Sequence, residues 1–372
     1  MRIGFDAKRA FFNFSGLGNY SRNTIRSMGT RFPEHEYFLY IPKNKYRIQN
    51  GEFEKHTLVY PKSFAGRNFS WLWRSYWLGR KLREDGIELY HGLSNEIPFD
   101  MPRPGVRSVV TIHDLIFMRY PQWYNPIDRG IYIRKASHAA HKADRIIAIS
   151  GQTSSDIQEF IGVPPEKIQV VYQGCNPSFY SRVDAPEKSR LKEKYTLPGD
   201  YLLYVGTIEP RKNLLKIIQA LEMDSLDIPL IVIGRATPYL EKVRQFIREH
   251  SIRNIFFLRD VPNEDLPGLY QMAKIFIYPS RFEGFGIPIL EALSSRTPVI
   301  TSKGGCFAET GGKSTAYVDP DSAEELAATI RKILDDSQLQ DSMKKYGFEH
   351  ALQFTEDRIT DNIMQVYRKA LQ

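Results

Sequence analysis

The segment Ser280-Arg-Phe-Glu283-Gly284-Phe285-Gly286-Ile-Pro288-Ile-Leu-Glu291-Ala carries the densest chemistry in the sequence. It follows the apolar run Ile275–Tyr278, which reads as a strand. Pro288 suits the first turn of a helix, so Gly284, Phe285 and Gly286 fall in a strand-to-helix loop. Small residues there let backbone N–H groups approach an anion at the helix N-terminus. Glu283 sits in the loop and Glu291 about one turn into the helix, so the two carboxylates address different parts of one ligand. A carboxylate can accept both hydroxyls of a sugar diol.

A second cluster, Gly206-Thr-Ile-Glu-Pro-Arg211-Lys212-Asn213, follows the run Tyr201–Val205. Two cations at a strand end, where open α/β sheets bind ligands, match a diphosphate. Arg211 would bind as a fork and Lys212 as a point charge. Asn213 reads as the N-cap of the next helix. A third segment, Asn13-Phe-Ser-Gly16-Leu-Gly18-Asn-Tyr20, is glycine-rich without the GxGxxG spacing of a dinucleotide fingerprint. It reads equally well as an ordinary tight turn. The fourth, Thr111-Ile-His113-Asp114, ends a strand. His113 there suits a substrate contact and a structural histidine equally.

These segments need a scaffold that brings strand ends together. Seven short β-rich runs are expected in the first half, at 2–5, 36–41, 58–60, 88–90, 108–112, 146–149 and 168–172. Five follow in the second half, at 201–205, 230–233, 255–258, 275–278 and 299–301. Helical patterns lie between most of them, including 74–84, 214–222, 241–250, 288–293 and 323–334. Such alternation predicts parallel sheets covered on both faces. The stretch from Pro177 to Pro198 reads as a linker with a short helix. The expected domains are therefore residues 1–177 and 198–354, with a last helix at 357–371.

The chain has 372 residues, 42% hydrophobic and 25% charged, ordinary for a soluble two-domain protein. Cys175 and Cys306 show no CxxC pattern, which argues against a disulfide framework or structural zinc. The opening Met-Arg-Ile-Gly-Phe-Asp-Ala reads as a first strand rather than a signal peptide, and a cytoplasmic setting is expected. Residues 1–177 hold 25 Lys and Arg against 16 Asp and Glu, and all four tryptophans. That excess suits an acidic, partly apolar partner such as an anionic membrane face or a lipid pyrophosphate, and equally an ordinary solvated surface. The run Trp71-Leu-Trp73-Arg74-Ser-Tyr76-Trp77-Leu-Gly-Arg80-Lys81 is expected to pack its Trp face onto the sheet, with an interfacial helix as the alternative.

Together the glutamate pair in its Gly-Phe-Gly-Ile-Pro context, Arg211-Lys212, Gly206, Asn213 and the later Gly304-Gly305…Glu309 resemble glycosyltransferase family 4. The resemblance covers nearly the whole chain. It implies the GT-B fold, two doubly wound Rossmann-like domains facing across a cleft, with the terminal segment 355–372 crossing back to the first. It implies a retaining glycosyltransferase moving a hexose from a nucleoside-diphosphate sugar to a glycan or lipid-linked acceptor in cell-surface polysaccharide synthesis. No cofactor or metal is expected, since no DxD-type motif stands out. The Glu-Pro-Arg-Lys-Asn run is similar to that of many mannosyl- and rhamnosyltransferases and points first to GDP-mannose. The resemblance gives Arg211 and Lys212 the diphosphate and Glu291 the ribose. It gives Glu283 the sugar hydroxyls, beside backbone groups of Gly284, Phe285 and Gly286. Gly16 would let the first loop approach the diphosphate or acceptor, and His113 would touch the donor sugar. Two departures stand out: Ser15-Gly16 replaces the glycine pair common in relatives, and Cys306-Phe307-Ala308-Glu309 replaces a Leu-Pro-Glu pattern.

Other classes fit less well. A dehydrogenase would need the absent GxGxxG. A nucleic-acid binder would show a recognised module or Arg-rich runs. A sugar-nucleotide epimerase of GT-B-like fold would convert donor without acceptor. A noncatalytic sugar-nucleotide binder would keep Glu291 and lack turnover.

Overall fold

The computed structural model describes residues 1–13, 16–43, 53, 55–102 and 104–372, so Phe14 and Ser15 of the glycine-rich segment lie outside it. The chain divides into two compact units, Met1–Gln173 with Glu356–Gln372, and Gly174–Thr355.

The first unit is built on β1 (Arg2–Asp6), β2 (Glu36–Tyr40), β3 (Thr57–Val59), β4 (Leu89–Gly92), β5 (Arg107–Ile112), β6 (Arg145–Ala148) and β7 (Ile168–Val170). They form one parallel sheet in the order β3-β2-β1-β4-β5-β6-β7. The second unit has β8 (Leu202–Val205), β9 (Leu230–Ile233), β10 (Ile255–Leu258), β11 (Ile275–Tyr278), β12 (Val299–Ser302) and β13 (Ala316–Val318). Their order is β10-β9-β8-β11-β12-β13, again all parallel. Central strands buried on both faces explain the continuous apolar runs in the sequence. Leu202, Leu230, Ile277 and Ile300 are fully buried beneath helices Leu214–Met223 and Ala323–Asp335. Each such side chain contributes about 1.5–3 kcal/mol. The direction of strand succession reverses between β1 and β4 and between β8 and β11. Ligands of open α/β sheets bind outside the carboxyl ends at such switch points.

Four local features differ from expectation. The stretch 177–198 is not a loose linker. Its helix Ala185–Tyr195 is capped by Asp184, and Arg190, Lys194 and Tyr195 converge on Asp265 at 2.7, 2.6 and 2.5 Å. That cluster fastens it to the second unit, so the units meet at Gln173–Gly174. The glycine-rich segment does not end as a turn but opens helix Gly16–Arg31. Strand β13 pairs with β12 through only three residues, too few for a period to show. The expected helix 74–84 begins with a π turn, Trp73–Trp77, before Leu78–Glu84. In a regular helix Trp73 and Trp77 would share a face. Here Trp73 is buried, whereas Trp71, Tyr76 and Trp77 are exposed. The Trp face therefore does not pack as a whole onto the sheet.

The terminal helix Glu356–Leu371 packs on helix Gly16–Arg31. Arg31 forks onto Asp361 at 2.5 and 2.6 Å, and the Tyr367 hydroxyl meets His91 Nδ1 at 2.6 Å. Among the described residues no helix is long and apolar enough to cross a membrane.

Candidate active site

The switch point of the second sheet gathers the Arg-Lys pair and the loop after β11. Pro210–Lys212 form a 3-10 turn. Arg211 is held in the protein frame: Nη2 donates to Glu209 Oε1 (2.7 Å) and Nη1 to the Phe282 carbonyl (2.5 Å) and to Glu283 Oε1 (2.7 Å). Lys212 Nζ donates to the Tyr278 hydroxyl (2.7 Å) and stands 3.7 Å from Glu283 Oε1. Tyr278 and Ser280 hydroxyls donate to the same oxygen at 2.8 and 2.9 Å. Burial alone would push the Glu283 carboxyl up, but the charges of Lys212 and Arg211 outweigh it and hold it at about 2. All these contacts use Oε1. The second oxygen, Oε2, accepts no such bond among the described residues.

Gly286 begins helix Ile287–Ser294 at φ 100°, a left-handed conformation that favours glycine. Two side chains turn the loop carbonyls inward. Thr310 Oγ1 donates to the Phe285 carbonyl at 2.5 Å, and Cys306 Sγ donates to the Glu283 and Phe285 carbonyls at 3.2 Å each. The Phe285 ring is buried edge-on to Phe354. Glu291, one turn in, accepts from the Tyr270 hydroxyl at 3.0 Å. Burial pushes its carboxyl up to about 7.

Gly206 follows β8 and its carbonyl abuts Gly234, where an added Cβ would lie 1.8 Å from that oxygen. Beside this contact, at the ends of β9 and β10, is a cavity of about 660 Å³. Its apolar wall includes Ile208, Leu240 and Leu258, and its charged groups are Arg235, Arg244, Arg259 and Asp260.

One expected role is revised. Asn213 stands at the N-cap position but at φ 62°, with no capping bond. Its amide donates to the Pro320 carbonyl instead (2.6 Å), tying the Arg-Lys turn to the loop after β13. Gly16 starts its helix with open space where a side chain would go, whereas a Cβ on Gly18 would meet the Asn13 carbonyl at 1.7 Å. Gly18 is the position that demands glycine.

His113 lies in the first unit, buried. Its Nε2 donates to the Leu93 carbonyl and its Nδ1 accepts from Gln173 Nε2, both at 2.9 Å. Burial lowers its pKa to about 4, so the ring is neutral. A sugar hydroxyl bonding to either ring nitrogen would have to displace Leu93 or Gln173. The structure thus joins Gly206, Arg211, Lys212, Glu283 and Gly286 at one strand edge, with Glu291 along the helix. Sequence reasoning missed Tyr278, Tyr270, Thr310, Gly234 and Gln173. Only Tyr278 left a signal, as the polar-tipped residue closing an apolar strand. Among the described residues no cluster of three His, Cys, Asp or Glu side chains could hold a metal ion.

The comparisons with known proteins agree with this architecture. The family described as "Glycosyltransferase Family 4" matches residues 14–179, and "Glycosyl transferases group 1" matches residues 187–350. The O-antigen chain mannosyltransferase B of Escherichia coli is 32% identical, over 99% of this chain and 100% of its own. Sucrose-phosphate synthase from Thermosynechococcus elongatus superposes with a TM-score of 0.79 at 18% identity, covering 99% of this chain and 98% of its own. Anabaena HepE in complex with UDP-glucose superposes with a TM-score of 0.77 at 17% identity, over 99% and 100%. The fold is GT-B, and the molecule is a glycosyltransferase. The chain belongs to the group 1 glycosyltransferases of family 4.

Proposed function

We propose that the chain transfers mannose from a nucleoside-diphosphate sugar to a glycan on a lipid carrier, in cell-surface polysaccharide synthesis at the cytoplasmic face of a membrane. The sugar and acceptor rest on the likeness to the O-antigen chain mannosyltransferase. The observation that carries the site reading is the convergence of Arg211 and Lys212 on Glu283 beside the Gly286 helix start.

In this reading the bond from the anomeric carbon to the diphosphate breaks and its electrons go to the β-phosphate oxygen. Arg211, Lys212 and the loop N–H groups stabilise that charge. The acceptor hydroxyl forms the new bond on the same face, which retains configuration, and its proton passes to the departing phosphate oxygen. Glu283 Oε2 accepts a sugar hydroxyl, and Glu291 accepts the ribose diol. Cationic side chains do this work without a metal. The base occupies the cavity beside Gly234. Guanine offers N7 and O6 to a guanidinium fork and N1–H and N2–H to a carboxylate, which suits the arginines and Asp260. The expected donor is GDP-mannose.

A thermal-shift series with GDP, UDP, dTDP and ADP tests it, because a ligand selective for the native state raises the melting temperature. GDP should give the largest rise. No rise with any of the four would defeat the donor site. Donor conversion without acceptor would favour the epimerase reading.

A further inference from the structure

The first unit bears a surface that the transfer chemistry does not use. Around the π turn, Phe64, Phe69, Trp71, Tyr76 and Trp77 are exposed, Phe64 by 78% and Trp71 by 64%. On helix Pro126–Lys142, Ile127 is 76% exposed and Ile131 is also exposed. The two stretches are joined. Ile127, Ile131, Arg134 and His138 follow helical spacing along one face. Arg134 lies 5.5 Å over the Phe99 ring, and His138 packs on the same ring at 4.2 Å. Phe99 in turn stacks on Tyr76 at 5.0 Å. Large apolar groups gathered this way mark an interaction surface rather than scattered exposure.

The charge of the surface selects its occupant. Residues 55–83 contain seven Lys and Arg and no Asp or Glu. Arg74 is buried against Asp6 and Glu96, Arg80 pairs with Glu84 and Lys81 with Asp85. Lys62, Arg67 and Arg83 are exposed and form no ion pair among the described residues. Trp and Tyr favour the membrane–water interface, where a ring is half-immersed. Unpaired cations beside them gain by approaching anionic headgroups. A protein partner would be expected to bring its own acidic side chains to a smaller, shaped patch. This surface is broad, aromatic and basic, which is the pattern of interfacial binding.

We infer that the π-turn segment and the Ile127–Ile131 face dock this protein on an anionic lipid bilayer. The inference stands apart from the donor-site reading. In this segment Trp73 and Arg74 are buried as internal anchors, while Trp71, Tyr76 and Trp77 are exposed.

The test is sedimentation of the full chain with vesicles of phosphatidylcholine alone or with phosphatidylglycerol, at low and high salt. Binding should require the anionic lipid and weaken with salt. Lys62→Ser with Arg67→Ser should weaken it roughly tenfold or more, and Trp71→Ser with Trp77→Ser by about as much. Both variants should keep the wild-type melting temperature and GDP-induced shift. Brominated lipid should quench tryptophan fluorescence in wild type and much less in the tryptophan variant. Absence of binding to anionic vesicles, or unchanged binding by both variants, would overturn the inference. So would a dimer in solution that the tryptophan variant converts to monomer, which would make this face a contact between copies.

Discussion

Arg211 Nη1 lies 2.7 Å from Glu283 Oε1, and the same nitrogen donates to the Phe282 carbonyl. In the proposed donor site, the cation assigned to the diphosphate is thereby fixed to the loop assigned to the sugar. Any movement of one displaces the other. Replacing Glu283 with Gln removes the charge that Arg211 and Lys212 share while keeping the shape. Two buried cations then face each other with less compensation. The expected outcome of Glu283→Gln is a kcat lower by about 10²-fold or more, read in a donor-consumption assay, with nucleoside diphosphate still bound.

If Glu291 takes the ribose as proposed, nucleotide binding should depend on pH. Its carboxyl is pushed up to about 7 by burial, so much of it is neutral below that pH in the free protein. A ribose diol donates to the ionised form, so binding near pH 6 should release a proton. Calorimetry in buffers of different ionisation enthalpy should detect that release in wild type and not in Glu291→Gln. The stability sign follows from the same shift. An acid raised in the folded state costs stability as pH rises from its unfolded value, near 4.5, through 7. The Gln variant should lose less stability across that window, measured by denaturant unfolding.

The first unit should weaken in acid for the opposite reason. Burial lowers His113 to about 4, and burial with the nearby His113 lowers His91 to about 3. The unfolded chain takes up protons below about 6.5 while the folded chain resists them. Stability is therefore full above pH 6.5 and falls as pH drops toward 4 and below. Thermal melts between pH 7 and 4 should show the loss. His91→Asn with His113→Asn should flatten it, even if both variants start less stable.

Thr310 tests the loop's support. Its hydroxyl holds the Phe285 carbonyl at 2.5 Å. Thr310→Val removes one of the two side-chain donors to that carbonyl and leaves Cys306 Sγ, at a cost of about 0.5–1.5 kcal/mol, and loosens the loop whose N–H groups the proposed site uses. The expected result is a larger KM for donor with a modest fall in melting temperature. Thr310→Ser should restore the wild-type KM.

Much of this was legible because strand–helix alternation is a periodic signal. The doubly wound sheets and the loops after β8 and β11 could be located from apolar runs and glycines alone. What escaped had no local signature. The αL conformation of Asn213 depends on Pro320, far along the chain. The helix at 185–195 looks like a linker until Asp265 is seen to hold it. Gly18 outranks Gly16 only because the Asn13 carbonyl stands in its way. Trp73 is buried while Trp71 and Trp77 are exposed, a split that the helical spacing does not report.

The central claim is that Arg211 and Lys212 take up the charge of the departing diphosphate. The most direct measurement is single-turnover transfer from GDP-mannose by Arg211→Ala and Lys212→Ala, at saturating donor and with melting temperature as a control. Each variant should keep its fold and transfer about 10²–10³-fold more slowly. Wild-type rates in both, with the fold intact, would contradict the account.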